Sequence, residues 1–515
     1  RHLSLRRQRQ MCIRDRTYPA LDWHGIWPGY VSYDEDGHYF PQDLPSGLKL
    51  SVQPANQGEA VFSRQERWEK ENVHYPTVIR EEDRFRMWYV AYADPEDPWV
   101  KQANLPGKLS TLGCYAESED GYNWERPNLG VFEFDGSTDN NIVFAAGESG
   151  GHYGYMNVMR DDHGDPQERY KAITIGGRFF VDGKPASEKE VIELRAARDA
   201  AGDAGEIGVN ITSQMMILGG VSPDGIHWTH FEEPIMEPPW LLDTQNILQF
   251  DSAIGKYVIY LRSLHERRRA VSRYEADDFR GPWGNHHMVL TAEPDDPPDW
   301  DIYAPCYCPH PHGKHLMFFS PYRRASDLVD VYLATSHDGK LWFRPERTPI
   351  IPTSDRYGSL YPTPELVELS DDRWGLMTMG CPHPHNLFNH TLSHEFFWAT
   401  WKRDRLVAWE ADDYAEFALS EQECAGEQLR LNFQTHQPGA FLKVEIVDGG
   451  LPNRKTAAEP PPVPGFSFDD CDALSGDELD AVVSWKGKTD LSAFAGKKIH
   501  LRFRMARSRL FAVDL

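Results

Sequence analysis

Acidic, amide and aromatic residues recur in this sequence just before runs of apolar residues. A chain entering a strand presents its side chains at a rim there. Asp243 precedes Gln245, Asn246 and the run Ile247–Phe250, and Asp301 lies between Trp300 and Tyr303 ahead of another such segment. Glu71 and His74 precede a third, while Asn157 and Glu365 sit in the first strands of two more. Two carboxyl groups about 5 Å apart, or roughly 6.5–9.5 Å apart, are what glycosidic bond cleavage requires. One stays ionised as base or nucleophile, and the other, with a raised pKa, donates a proton. Asp243, Asp301 and Glu71 are therefore the candidate catalytic group. His74, Asn157, Gln245, Asn246, Arg262, Trp300, Tyr303 and Glu365 are the candidate substrate-binding group, supplying hydrogen bonds to hydroxyls and faces for stacking. This chemistry needs no cofactor and assigns no metal ligand.

A second pattern pairs cysteine with histidine. CPHPH occurs at 308–312 and again at 381–385, and imidazole with thiolate suits zinc. Proline alternates with each histidine, and the first copy runs into Gly313, so exposed turns are expected at both places. The chain carries no P-loop, dinucleotide fingerprint, H-E-x-x-H or nucleophile elbow.

Composition narrows the partners. The 515 residues hold 54 Lys+Arg against 79 Asp+Glu, a net charge of −25, which argues against nucleic acid or an anionic membrane surface as partner. No apolar run approaches the ~18 residues of a membrane span. Seven cysteines show no disulfide-scaffold spacing. Residues 1–16, with six arginines, clash with all that follows and resemble a translated adapter read-through, so they are expected to pack against nothing. Whether the protein is periplasmic, secreted or cytoplasmic is left open.

The elements that must position these residues come from a repeat. Segments 74–92, 154–174, 244–262, 303–322 and 360–380 each read as a β-hairpin whose second strand is apolar on both faces. Between them S-x-D-G-x-x-W occurs at 118–124, 222–228 and 336–342, with a degenerate copy at 276–283. Asp bonding turn amides, Gly at positive φ and Trp packing back define a tight turn that stabilises a sheet's outer rim. Such units predict an all-β fold: a five-bladed β-propeller over 17–414, with 47–62 pairing with the last blade as an added strand. The segment 186–202 predicts a surface helix, with Ser187 and Glu190 as a capping box. From about residue 415 apolar residues alternate strictly, as at Leu429, Leu431 and Phe433 or Ile499, Leu501, Phe503 and Met505, which predicts an antiparallel β-sandwich over 415–515.

A five-bladed propeller followed by a β-sandwich resembles glycoside hydrolase family 32, and the propeller resembles families 43 and 68. Segments 118–144, 242–262 and 465–487 look like parts of uncharacterised bacterial family-32-like proteins. That resemblance implies hydrolysis of a poly- or oligosaccharide by paired carboxylates in the propeller funnel. The family-32 strings W-M-N-D-P-N-G and R-D-P are absent, and the one E-C pair, Glu423–Cys424, lies at the domain junction. Residue roles thus do not transfer by motif. The S-x-D-G-x-x-W turns are similar to the Asp-box of sialidases, an alternative that requires an arginine cluster and a nucleophilic tyrosine. A non-catalytic glycan-binding propeller is the other alternative, and it would leave the funnel without a carboxylate pair.

Overall fold

The computed structural model describes residues 17–33, 36–103, 110–145, 153–186, 210–240, 242–370, 372–387, 392–448 and 460–515, with a few single positions between 190 and 197. Residues 1–16 lie outside these, and with them the expectation of an unpacked terminus. Of the surface helix expected over 186–202, the described positions Glu190, Val191, Glu193, Leu194 and Ala197 are helical.

The described chain is almost entirely β. The five expected hairpins each form an antiparallel pair, and each hairpin with its outer strands is one unit below. The first three head separate sheets, while the fourth and fifth share one ten-stranded sheet, joined by a parallel bridge from Val329 to Ser359. The first runs through Asn72–Arg80, Phe85–Ala93, Ser110–Ser118 and Ile142–Ala145, and the third through Ile247–Asp251, Lys256–His265, Arg268–Ala276 and Gly284–Leu290. The second unit starts at Tyr153–Arg160, the fourth at Trp300–Ala304 and the fifth at Ser359–Leu369. Second strands are apolar because both faces are covered: every residue of Phe85–Ala93 is buried.

First strands gather side by side. Asn72–Arg80 lies against both Tyr153–Arg160 and Ser359–Leu369, and Tyr153–Arg160 against Ile247–Asp251, while the third and fourth units meet through Arg268–Ala276, a third strand, and Trp300–Ala304. The fifth unit takes its outer strand, Asn56–Ser63, from the N-terminal side of the whole array, antiparallel to Glu395–Lys402. The stretch 47–62 therefore does join the last unit, but only in part. Lys49–Val52 pairs instead with Val407–Ala411, because Pro54 has no N–H to continue a ladder and divides the stretch into two strands.

The S-x-D-G-x-x-W turns are latches between units. In each, Asp accepts two backbone amides, such as Tyr122 N at 2.8 Å and Asn123 N at 2.7 Å on Asp120, and the Trp indole donates to the Gly carbonyl. That carbonyl also accepts a bond from another unit. Trp398 Nε1 donates to Gly121 O at 2.8 Å, Trp88 Nε1 to Gly225 O at 2.7 Å, and the Tyr260 hydroxyl to Gly339 O at 3.0 Å.

Apart from a separate hairpin of Tyr30–Tyr33 and Tyr39–Gln42, the remaining strands form two sheets that share one core. Asp477–Val482, Arg430–Thr435, Ser508–Asp514, Val407–Ala411 and Lys49–Val52 are neighbours in that order, with Thr17–Pro19 also on Ser508–Asp514. Lys498–Ala506 pairs with Ala415–Ala418, Gln422–Glu423 and Phe441–Asp448 in the other sheet. Leu431, Phe433, Leu442, Val444, Leu501 and Phe503 meet in one core, as their alternation requires. The sandwich draws strands from both sides of residue 415, so the chain crosses between the two parts more than once.

Candidate active site

Two concavities occur where first strands end. A cavity of about 230 Å³ lies at their N-terminal ends, and the first, fourth and fifth units supply its wall. A larger cleft of about 1020 Å³ lies at the opposite ends, between Ile79, Arg80 and Glu365–Glu368 on one side and Arg430, Asp480 and Asp514 of the sandwich on the other.

The smaller cavity is lined by tyrosine and histidine. His74, Tyr75 and Tyr92 come from the first unit, Tyr303 from the fourth, and Tyr361, His383, His385 and His394 from the fifth and its following loop. β-Bulges aim several of these inward. The ladder shifts register between His74 and Thr77, between Ile302 and Ala304, and between Pro362 and Leu366, and Tyr75 takes φ +43°. The Tyr361 hydroxyl and His385 Nδ1 are 2.6 Å apart. Burial raises the pKa of Tyr361 well above the usual tyrosine range, and burial, helped by Arg269, brings His385 down to about 4. At neutral pH this is a protonated tyrosine hydrogen-bonded to a neutral imidazole.

Charged pairs adjoin the wall. Asp243, 36% exposed, pairs with the buried Arg262, and the Tyr303 hydroxyl donates to the Asp243 carbonyl at 3.4 Å. Asp301, only 1% exposed, is held by Arg324 and by Arg269, whose amide and Nη1 both reach it at 3.2 Å. Arg262 and Arg269 stand 5.5 and 5.2 Å from the Tyr303 ring. Burial and the charge of Arg269 lower Arg262 to about 10.

The other sequence candidates divide by location. His74 and Tyr303 are in the wall. Asn157, Gln245 and Asn246 are buried ties between strands. Asn157 Oδ1 accepts from Leu248 N at 2.8 Å, Gln245 Nε2 donates to Met156 O at 3.0 Å, and Asn246 Oδ1 accepts from Arg262 N at 3.0 Å. Amides at the centre of the array satisfy backbone groups that bulged ladders leave over. Trp300 packs on Tyr332, with centroids 4.8 Å apart. Glu71 belongs to a separate open depression formed by the Arg64–Glu71 loop. Glu365 lines the larger cleft at φ +84°, where burial raises its pKa and Gln249 donates to it at 2.5 Å.

The Cys/His motifs are not exposed turns. Cys308, His310, Cys381 and His383 are all buried, since each motif ends an inner strand that neighbouring units cover. Sequence reasoning passed over Tyr361 and His385: the first sits inside L-Y-P-T-P, the second in the motif read as a turn. Tyr361, in Ser359–Leu369, and His385, in the loop after Arg373–Cys381, meet with no signal in local composition.

No protein-family profile matches the chain, and no curated protein is similar to it in sequence. Its structure is similar to those of glycoside hydrolases. An α-L-arabinofuranosidase from Podospora anserina, in complex with cellotriose, shares 9% identity at a TM-score of 0.43, covering 70% of this chain and 99% of its own. The endo-arabinase of Bacteroides thetaiotaomicron shares 12% identity at 0.39 over 68% of this chain and 96% of its own. The β-1,2-mannobiose phosphorylase of Listeria innocua shares 12% at 0.39 over 70% and 93%. Similarities this distant leave substrate and reaction to the geometry.

Proposed function

We propose that the protein is a carbohydrate-active hydrolase that cleaves glycosidic bonds at the smaller cavity. In this reading the five units, closed by Asn56–Ser63, are the blades of a five-bladed propeller within residues 17–414. Residues 415–515 contribute most of the C-terminal sandwich. The observation that carries the proposal is the meeting, at one mouth of the array, of a partly exposed carboxylate, a tyrosine–imidazole pair and aromatic faces.

Asp243 acts as base or nucleophile, with Arg262 fixing its orientation. The Tyr361 oxygen accepts a hydrogen bond from the Nδ1–H tautomer of His385, so its own proton is free to pass to the glycosidic oxygen as the bond breaks, and the Nδ1–H then steadies the phenolate that forms. Tyr75 and Tyr303 offer faces for the sugar ring. Asp301, tied to Arg269 and Arg324, serves to hold Arg269 beside Tyr303. The same ties oppose a sialidase-like reading, since Arg262 and Arg269 are already committed to Asp243 and Asp301.

A glycan-binding protein without turnover is the second reading. It is favoured by one observation: no carboxylate lines the smaller cavity among the described residues. A panel of polysaccharides, scored for both binding and release of reducing ends, separates the two. Release supports the hydrolase, and binding with no release supports the lectin-like alternative.

A further inference from the structure

The loop that carries His385 is poor in backbone donors, because Pro382 and Pro384 have no N–H. Its next two amides both go to one residue of another unit. Asp327 lies in the turn after His315–Arg323 of the fourth unit. Its backbone carbonyl accepts from His385 N at 2.8 Å, and its Oδ2 accepts from Asn386 N at 2.9 Å. Its Oδ1 accepts from Asn386 Nδ2 at 2.6 Å and from the Tyr322 hydroxyl at 3.0 Å. Asn386 Nδ2 also donates to the Tyr322 oxygen at 2.7 Å, which closes a ring of three side chains.

This clamp bears on the cavity through the imidazole it holds. The His385 ring stands 4.6 Å from that of Tyr303 and 4.9 Å from that of Tyr322, and its Nδ1 is 2.6 Å from the Tyr361 oxygen. Asp327 is ionised: burial opposes the charge, but the bonds from Asn386 and Tyr322 outweigh it and hold the carboxyl below the usual aspartate range. We propose that Asp327 is a positioning residue for the Tyr361–His385 pair, its carboxylate fixing the loop so that the imidazole meets the tyrosine oxygen. The proposal rests on the reading of the cavity as a glycosidase site. It matters to rate because a misplacement of about 1 Å at a reacting group costs about 10²-fold.

Asp327→Asn separates the carboxylate from the turn that presents it. Asp327 takes φ +60°, a conformation that Asn adopts as readily as Asp, so the turn and the carbonyl that receives His385 N are kept. An amide has one acceptor oxygen where the carboxylate has two. Either Asn386 N or the Tyr322 and Asn386 side chains then lose their acceptor, and the loop is held by fewer bonds.

Proton NMR of the full chain tests the clamp independently of any hydrolysis. The Tyr361–His385 bond should give a downfield proton resonance, assigned by its loss in both Tyr361→Phe and His385→Gln. In Asp327→Asn it should be lost or move upfield. Near-UV circular dichroism identifies a variant that fails to fold, and Tyr322→Phe, which removes one bond to the same carboxylate, then serves in its place. No such resonance in the wild type, or an unchanged one in folded Asp327→Asn, would overturn the clamp. Kinetics test its consequence: Asp327→Asn should lower kcat on natural glycosides by about 10–10²-fold with KM unchanged, and affect aryl glycosides far less. In a Tyr361→Phe background it should cost less than about twofold. Equal losses on both substrates, or the full loss in that background, would make Asp327 a structural residue only. A wild-type chain that releases no sugar would sink the glycosidase reading, while the resonance still decides the clamp.

Discussion

His310 shows what burial does to a single side chain here. It is 3% exposed, and burial, with the nearby His312, holds its pKa at about 3. Above about pH 6.5 the imidazole is neutral in both folded and unfolded chains and has no effect on the pH dependence of stability. Below that value the unfolded chain binds a proton that the folded chain refuses. Stability therefore falls by about 1.4 kcal/mol per pH unit from this group until the folded pKa is reached. Urea denaturation between pH 7 and 4 should show His310→Gln with a slope shallower by about that amount; an unchanged slope would mean that His310 takes up its proton in the folded state. The same scale governs Tyr361. Tyr361→Phe should lower kcat by about 10²–10⁴-fold on natural glycosides, and much less on aryl glycosides whose leaving group needs no proton. Equal losses on both would assign Tyr361 to binding alone.

At the scale of elements, the turn latches set the spacing between units. Gly339 takes φ +69°, and a Cβ there would run into the Arg273 guanidinium and lie 2.6 Å from the Tyr260 hydroxyl. Gly339→Ala should cost about 2–3 kcal/mol by thermal or chemical denaturation, from the strained φ and the lost contacts together. A loss below about 0.5 kcal/mol would show that the turn bears no load. These elements were legible in the sequence because their signals are local: an Asp-Gly turn, a two-sided apolar strand, a strict alternation through Leu429, Leu431 and Phe433. The cavity wall was not. Each bulge turns the side chains beyond it to the other face, so counting from a strand's start cannot say whether Asn157 meets the cavity. Asn157 and Gln245 proved to be ties, and Tyr361 and His385 came together from positions 24 residues apart. His74 and Tyr303, which stand before the shift or at it, do line the cavity.

For the molecule as a whole, the chain's N-terminal strands fasten both parts. Asn56–Ser63 completes the fifth unit, and Lys49–Val52 completes a sandwich sheet only a few residues earlier. The Trp398 indole then latches that closed unit to the first through Gly121. Trp398→Phe, which keeps most of the packing and removes one buried hydrogen bond, should cost about 1–3 kcal/mol in denaturant unfolding. No loss would show that closure rests on the strand pairing alone. Holding the first and fifth units together is what gives the smaller cavity its wall, since His74 and Tyr361 belong to these two units.

The measurement that bears most directly on the functional account is release of reducing sugar from a polysaccharide panel by the wild-type chain and by Asp243→Asn, with folding of the variant verified by circular dichroism. The account predicts release from at least one glycan by the wild type and a fall of at least about 10²-fold in the variant. A wild-type chain that binds a glycan and releases nothing, or a variant as active as the wild type, would contradict it.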